Sequence, residues 1–128
     1  MKKKILVVND EPNLLELTRA ILELEDFEVT VANNPYLALS KMKLNKPDLV
    51  LLDMVLPKMS GLELCEKIRK DPNLKDLNIA MFYDLKDSQF DKTKIKDMQI
   101  RHYIPKPFDT DELVSKVKEV MNLDSEDI

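Results

Sequence analysis

Lys4-Ile5-Leu6-Val7-Val8-Asn9-Asp10-Glu11-Pro12, "KILVVNDEP", is apolar from Ile5 to Val8 and then breaks off in an amide followed by two carboxylates. A continuous aliphatic run suits a parallel strand covered on both faces, since a half-exposed antiparallel strand would alternate with polar residues. Similar short runs recur at Phe27–Ala32, Leu49–Leu52, Ile79–Tyr83 and, more weakly, Tyr103–Ile104. Helical segments fall between them. Pro12–Leu24 is expected to be a helix that starts on Pro12 and carries Leu14, Leu17, Thr18, Ile21 and Leu22 as its apolar stripe. Residues 34–45 and 61–70 read as two more helices. A last one begins at a capping-box pair, Asp109 and Glu112, and continues through Leu113, Val114, Val117, Val120 and Met121. In "DLKDSQFDKTKIKDMQIRH" the apolar residues Leu85, Phe90, Ile95, Met98 and Ile100 are sparse, and the helix expected there is weakly signalled.

Five strands alternating with five helices in 128 residues predict one α/β domain with right-handed crossovers. In such sheets ligands bind beyond the carboxyl ends of the strands. Asn9, Asp10 and Glu11 lie where the first strand ends, Asp53 ends the third strand, Tyr83 ends the fourth, and Lys106 follows the fifth. Carboxylates gathered there are hard oxygen ligands suited to Mg²⁺, which takes one or two of them and keeps several waters. Two carboxylates about 4 Å apart repel by ~4 kcal/mol at an effective dielectric near 20, so a cation such as Mg²⁺ or Lys106 is needed beside them. An ionised Asp53 is also a nucleophile toward a phosphoryl group, giving an acyl phosphate.

The segments "ILVVNDEP", "PDLVLLDMVLPKMSGLEL" and "YIPKPFDTDELVSKV", in this order and spacing, closely resemble the receiver domain of two-component response regulators over essentially residues 3–122. The resemblance implies a flavodoxin-like (βα)5 fold with a doubly wound parallel sheet in the order 2-1-3-4-5. It makes residues 1–122 the receiver and 123–128 a short acidic tail. It implies that Asp53 accepts a phosphoryl group from a histidine kinase or phosphotransfer protein. Asp10 then ligates Mg²⁺ directly, together with Asp53 and the Val55 backbone carbonyl, while Asn9 contributes indirectly. Lys106 pairs with the phosphoryl group, the Asp84 backbone N–H reaches it, and the Lys106–Pro107 bond is cis. Tyr103 is the aromatic switch that reports to the face of the fourth helix, fifth strand and fifth helix. The partner on that side is a downstream protein or an output domain of a longer chain, with phosphorylation-dependent dimerisation a further expectation.

Three departures from the family pattern stand out. Asn9 replaces a carboxylate, which removes a charge but leaves an oxygen able to accept from metal-bound water, so Mg²⁺ affinity should fall. Tyr83 replaces a small hydroxyl residue; its phenol oxygen lies farther from the backbone, and its ring is expected to fill space that Tyr103 would enter. Asp84 replaces a small residue and either opposes added phosphoryl charge or points to solvent as a cap. The glycine expected before the fifth strand is also missing from "QIRHY", which suggests a different turn. The altered "NDE" and Tyr83 favour an alternative in which a degenerate receiver binds partners whether or not Asp53 is modified.

Other classes fit poorly. An aspartyl phosphatase or phosphotransferase needs a second carboxylate two residues after its nucleophile, where this chain has Val55, so no enzyme is expected. A flavin-binding loop would be rich in glycine and hydroxyls, and "NDEPNLLEL" presents repelling carboxylates instead. With 20 Lys and Arg against 24 Asp and Glu, direct nucleic-acid binding lacks electrostatic support. The lone Cys65 cannot pair internally and no signal segment or membrane-length apolar run is seen, so the expected home is the cytoplasm. Cys65 is expected to be a buried packing residue and His102 a solvated loop residue.

Overall fold

The computed structural model describes residues 2–56, 58–84 and 96–121. Its elements run β1 (Lys4–Val8), α1 (Pro12–Leu24), β2 (Glu28–Ala32), α2 (Pro35–Leu44), β3 (Leu49–Asp53), α3 (Gly61–Lys70), β4 (Asn78–Tyr83), β5 (His102–Pro105) and α4 (Thr110–Val120). The helix expected between β4 and β5 falls mainly on residues 85–95, which lie outside the described residues.

All five strands are parallel and stand in the order β2-β1-β3-β4-β5. Successive strand residues point to opposite faces, and each face has its own core. Leu6, Val8, Val50, Leu52, Ile79 and Met81 pack with Ala38 and Met42 of α2 and Leu64, Cys65 and Ile68 of α3. Ile5, Val7, Leu49, Leu51, Ala80, Phe82 and Ile104 pack with Leu15 and Leu22 of α1 and Leu113 and Val117 of α4. Two covered faces are the reason that β1 and β3 lack a polar alternation. Each such aliphatic side chain contributes about 1.5–3 kcal/mol on burial.

The stripe of α1 is rotated from the sequence expectation. Leu15, Thr18, Ile21 and Leu22 are buried, while Leu17 is 53% exposed. "NLLEL" offers Leu14 and Leu15 as alternative starts, and contact with the sheet selects Leu15. The thiol of Cys65 is buried as expected, and burial pushes its pKa up to about 12, which makes it unreactive. His102, by contrast, opens β5 and is half-buried, and burial followed by the charge of Lys116 lowers its pKa. It is a strand residue, not a loop residue, because the register carries β5 one residue beyond the apolar pair, matching His102 to Ala80.

Helix ends are fixed with almost no help from glycine. After α1, Asp26 takes a left-handed φ of 69°, with Asp26 N–H donating to Glu23 O and Phe27 N–H to Leu22 O. That pair of bonds is the Schellman pattern, which turns the chain directly into β2. Before β5, Gln99 likewise adopts φ 60° where the sequence lacks the expected glycine. Arg69 secures this end of the sheet: Nε donates to Met98 O at 2.8 Å, and Nη1 to Lys75 O at 2.8 Å and Leu77 O at 2.7 Å. One guanidinium thereby ties α3 to the entries of both β4 and β5. Arg69→Met, which keeps the aliphatic stem, should cost about 2–3 kcal/mol in urea unfolding because those carbonyls lose charged donors. A loss below about 0.5 kcal/mol would show that water replaces the guanidinium freely.

Candidate functional site

The register decides which side chains meet. Val8 is paired with Leu52, so Asn9 emerges beside Asp53, the last residue of β3. Asp53 is paired with Phe82 and Tyr83 with Pro105, which brings Lys106 to the same end of the sheet. Lys106 N–H donates to Tyr83 O at 2.7 Å and fixes the start of the loop after β5. The Lys106–Pro107 peptide is cis, and Phe108 stacks on Phe82 with ring centroids 5.3 Å apart.

Asp53 is only 3% exposed and accepts three hydrogen bonds. Lys106 Nζ reaches its Oδ2 at 2.7 Å, Asn9 Nδ2 reaches the same oxygen at 3.0 Å, and the Val55 backbone N–H reaches Oδ1 at 3.0 Å. A buried carboxylate needs such partners, and here one of them carries a full positive charge. Asn9 is buried to 1% exposure, and its Oδ1 accepts from Glu11 N–H at 2.9 Å. The orientation of this amide is dictated by its neighbours: a carboxylate oxygen facing Lys106 only accepts and a backbone N–H only donates, so nitrogen must face Asp53 and oxygen Glu11. Glu11 N–H takes one of the two lone pairs of Oδ1, which leaves that oxygen the capacity to accept a further bond. The group facing the acceptor is an N–H donor.

Glu11 continues this chain of contacts by capping α1, its carboxylate accepting from Asn13 N–H and Leu14 N–H at 3.1 and 3.0 Å. Asp10, between Asn9 and Glu11, is exposed, and so is Asp84 beyond β4. Tyr83 and Tyr103 meet edge to face, with centroids 6.1 Å apart and planes at 90°, and Tyr103 hydroxyl donates to Ile100 O at 3.0 Å. Both rings are half-buried against the core on the α2/α3 face.

Gly61, the chain's single glycine, was not singled out by its sequence context. A Cβ built there would lie 2.4 Å from Asp53 O and 2.8 Å from Met54 Cα, both backbone atoms. Gly61 N–H donates to Met54 O at 2.8 Å, so α3 begins against the very end of β3. The available signal was a glycine at a helix start already capped by Ser60, whose Oγ accepts from Glu63 N–H at 3.1 Å; no turn there requires a glycine.

Among the described residues, no group of three or more His, Cys, Asp or Glu side chains is placed to hold a metal. Asp10 lies two residues beyond β1 and Asp53 ends β3, which puts two carboxylates at the carboxyl end of the sheet. That set fits Mg²⁺, which is satisfied by one or two carboxylates and water, and does not fit a metal needing a full protein cage.

A parallel sheet in this order, with an Asp–Lys pair at its carboxyl end, defines the chain as a doubly wound α/β protein of the CheY-like, flavodoxin-like class. The model of the response regulator receiver domain matches residues 5–118, and the chain belongs to that family. It is 36% identical over 121 residues to the alkaline phosphatase synthesis transcriptional regulatory protein PhoP of Bacillus subtilis, covering 94% of this chain and 49% of that protein. The chain thus spans about half the length of the curated relatives it matches. Among solved structures, a response regulator of Chloroflexus aurantiacus superposes with a TM-score of 0.86 at 30% identity, covering 95% of this chain and 99% of that one. A CheY-like receiver domain protein of Methanospirillum hungatei gives a TM-score of 0.85 at 31% identity, covering 98% and 99%.

Proposed function

We propose that this receiver domain takes a phosphoryl group on Asp53 in a two-component phosphorelay. The observation that carries this reading is the Asp53 carboxylate, buried at the end of the central strand and held by Lys106 Nζ at 2.7 Å. One Asp53 oxygen attacks phosphorus of a phosphohistidine on a histidine kinase or phosphotransfer protein as the P–N bond breaks. The bonding pair leaves with the imidazole nitrogen, and Asp53 becomes an acyl phosphate. Lys106 and the Val55 N–H orient the carboxylate before transfer, and Lys106 remains beside the oxygens that gain charge. The Asp84 N–H is assigned to the phosphoryl oxygens. When bound by Asp10, Asp53 and the Val55 carbonyl, Mg²⁺ would screen the charge on the transferring group.

The signal is assigned to the surface of β5 and α4, together with the helix expected from the sequence before β5, with Tyr103 as the reporting side chain and a protein target or a further domain as recipient. No helix among the described residues is long and apolar enough to cross a membrane, and a cytoplasmic location accords with the proposed donor.

A phosphorylation-independent interaction module is the second reading. It is favoured by the Tyr83–Tyr103 contact, in which Tyr83 already packs against the proposed switch residue. Incubation with Mg²⁺ and acetyl phosphate, followed by intact mass, separates the two. The parent should gain one phosphoryl adduct that Asp53→Asn abolishes. Absence of any adduct, even with a cognate kinase supplied, would leave the interaction module as the reading.

A further inference from the structure

The structure assigns to Asn9 a positioning role at the acceptor: its amide N–H donates to the resting Asp53 carboxylate and orients it at a place where a second carboxylate would repel it. This inference rests on Asp53 being the phosphoacceptor and concerns how the site is held before phosphoryl transfer.

Every polar atom of the Asn9 side chain is engaged. Nδ2 donates to Asp53 Oδ2 at 3.0 Å, Oδ1 accepts from Glu11 N–H at 2.9 Å, and the residue is 1% exposed. Its backbone is held as well, with Asn9 N–H donating to Ala32 O at 3.1 Å. The amide therefore lacks room to turn, and turning it would set oxygen against oxygen at Asp53 and nitrogen against an N–H at Glu11.

An aspartate at this position could still accept from Glu11 N–H with one oxygen. Its other oxygen would face Asp53 Oδ2, and two acceptors in contact need a cation or a proton between them. Lys106 Nζ already engages Asp53 Oδ2, so the carboxylate version would set two negative charges against one ammonium and gain more from a bound metal. With Asn9 the N–H faces Asp53 instead, and together with Lys106 Nζ and Val55 N–H it leaves Asp53 fully partnered without a metal. Two consequences follow for this chain: the site is ordered without Mg²⁺, and Mg²⁺ binds more weakly than it would beside an added carboxylate.

Three forms of the full chain test this: parent, Asn9→Asp, and Asn9→Leu, which has similar volume and no N–H. Melting in EDTA and in millimolar Mg²⁺ is read beside the Mg²⁺ dependence of acetyl-phosphate labelling by intact mass. The parent should melt at the same temperature in both buffers. Asn9→Asp should melt about 5 °C lower in EDTA and recover in Mg²⁺, and Asn9→Leu should melt lower in both. Half-saturating Mg²⁺ for labelling should fall at least tenfold in Asn9→Asp. Equal melting of parent and Asn9→Asp in EDTA, or an unchanged half-saturation, overturns the role given to Asn9 and leaves Asp53 as acceptor. If no form is ever labelled, the acceptor reading fails, and the melting series still decides whether Asn9 positions Asp53.

Discussion

Gly61→Ala is expected to cost about 3 kcal/mol of folding stability, a large effect for the addition of one methyl group. The methyl would sit 2.4 Å from Asp53 O and 2.8 Å from Met54 Cα, and neither atom belongs to a side chain that could swing aside. Either α3 retreats, breaking the bond from Gly61 N–H to Met54 O, or the end of β3 shifts and carries Asp53 with it. Urea unfolding measures the first outcome. A protein that stays folded through the second should lose the Asp53 contacts and label far more slowly with acetyl phosphate. Unchanged stability together with unchanged labelling would mean that the backbone around residues 53–61 is far softer than this packing indicates.

Lys106→Met should be the most damaging change that leaves the backbone in place. The side chains of Lys106 and Asp53 are 26% and 5% exposed, so the pair is only partly screened by water. Removing the ammonium leaves a buried carboxylate with two neutral donors, Asn9 and the Val55 N–H. Those donors soften the loss, and about 2–3 kcal/mol is expected in place of the 3–5 kcal/mol typical of a broken buried pair. Labelling of Asp53 should fall by roughly 10²-fold, as when one preorganised donor to a charge-gaining oxygen is removed. The hydrogen bond from residue 106 N–H to Tyr83 O does not depend on the side chain, so β5 should keep its register. A variant as stable as the parent would show that the ion pair contributes nothing beyond what water supplies.

The architecture was legible because its signals are local. Short β-branched and aliphatic runs, several of them apolar throughout, gave five parallel strands, and Pro12 and Asp109 lie at or just before the observed helix starts. The cluster of Asn9, Asp53 and Lys106 was legible only through topology, because three residues far apart in sequence meet when parallel strands end at one edge. Details set by partners were hidden. Which leucine of "NLLEL" faces inward is settled by the sheet, and which end of the Asn9 amide faces Asp53 is settled by Glu11 and Lys106. The roles of Gly61 and Arg69 were invisible for the same reason, since each acts on backbone from another segment.

The strand order carries a mechanical consequence. Asp53 belongs to β3, clamped on both sides by β1 and β4, whereas Lys106 follows β5, which pairs only with β4. The two ends of the 2.7 Å ion pair thus have unequal stiffness: one is anchored at the centre of the molecule and the other at its margin. If Asp53 takes a phosphoryl group as proposed, the added charge should pull on the softer end. Displacement would then be expected along the outermost strand, with the fixed bearing inside and the moving arm at the surface.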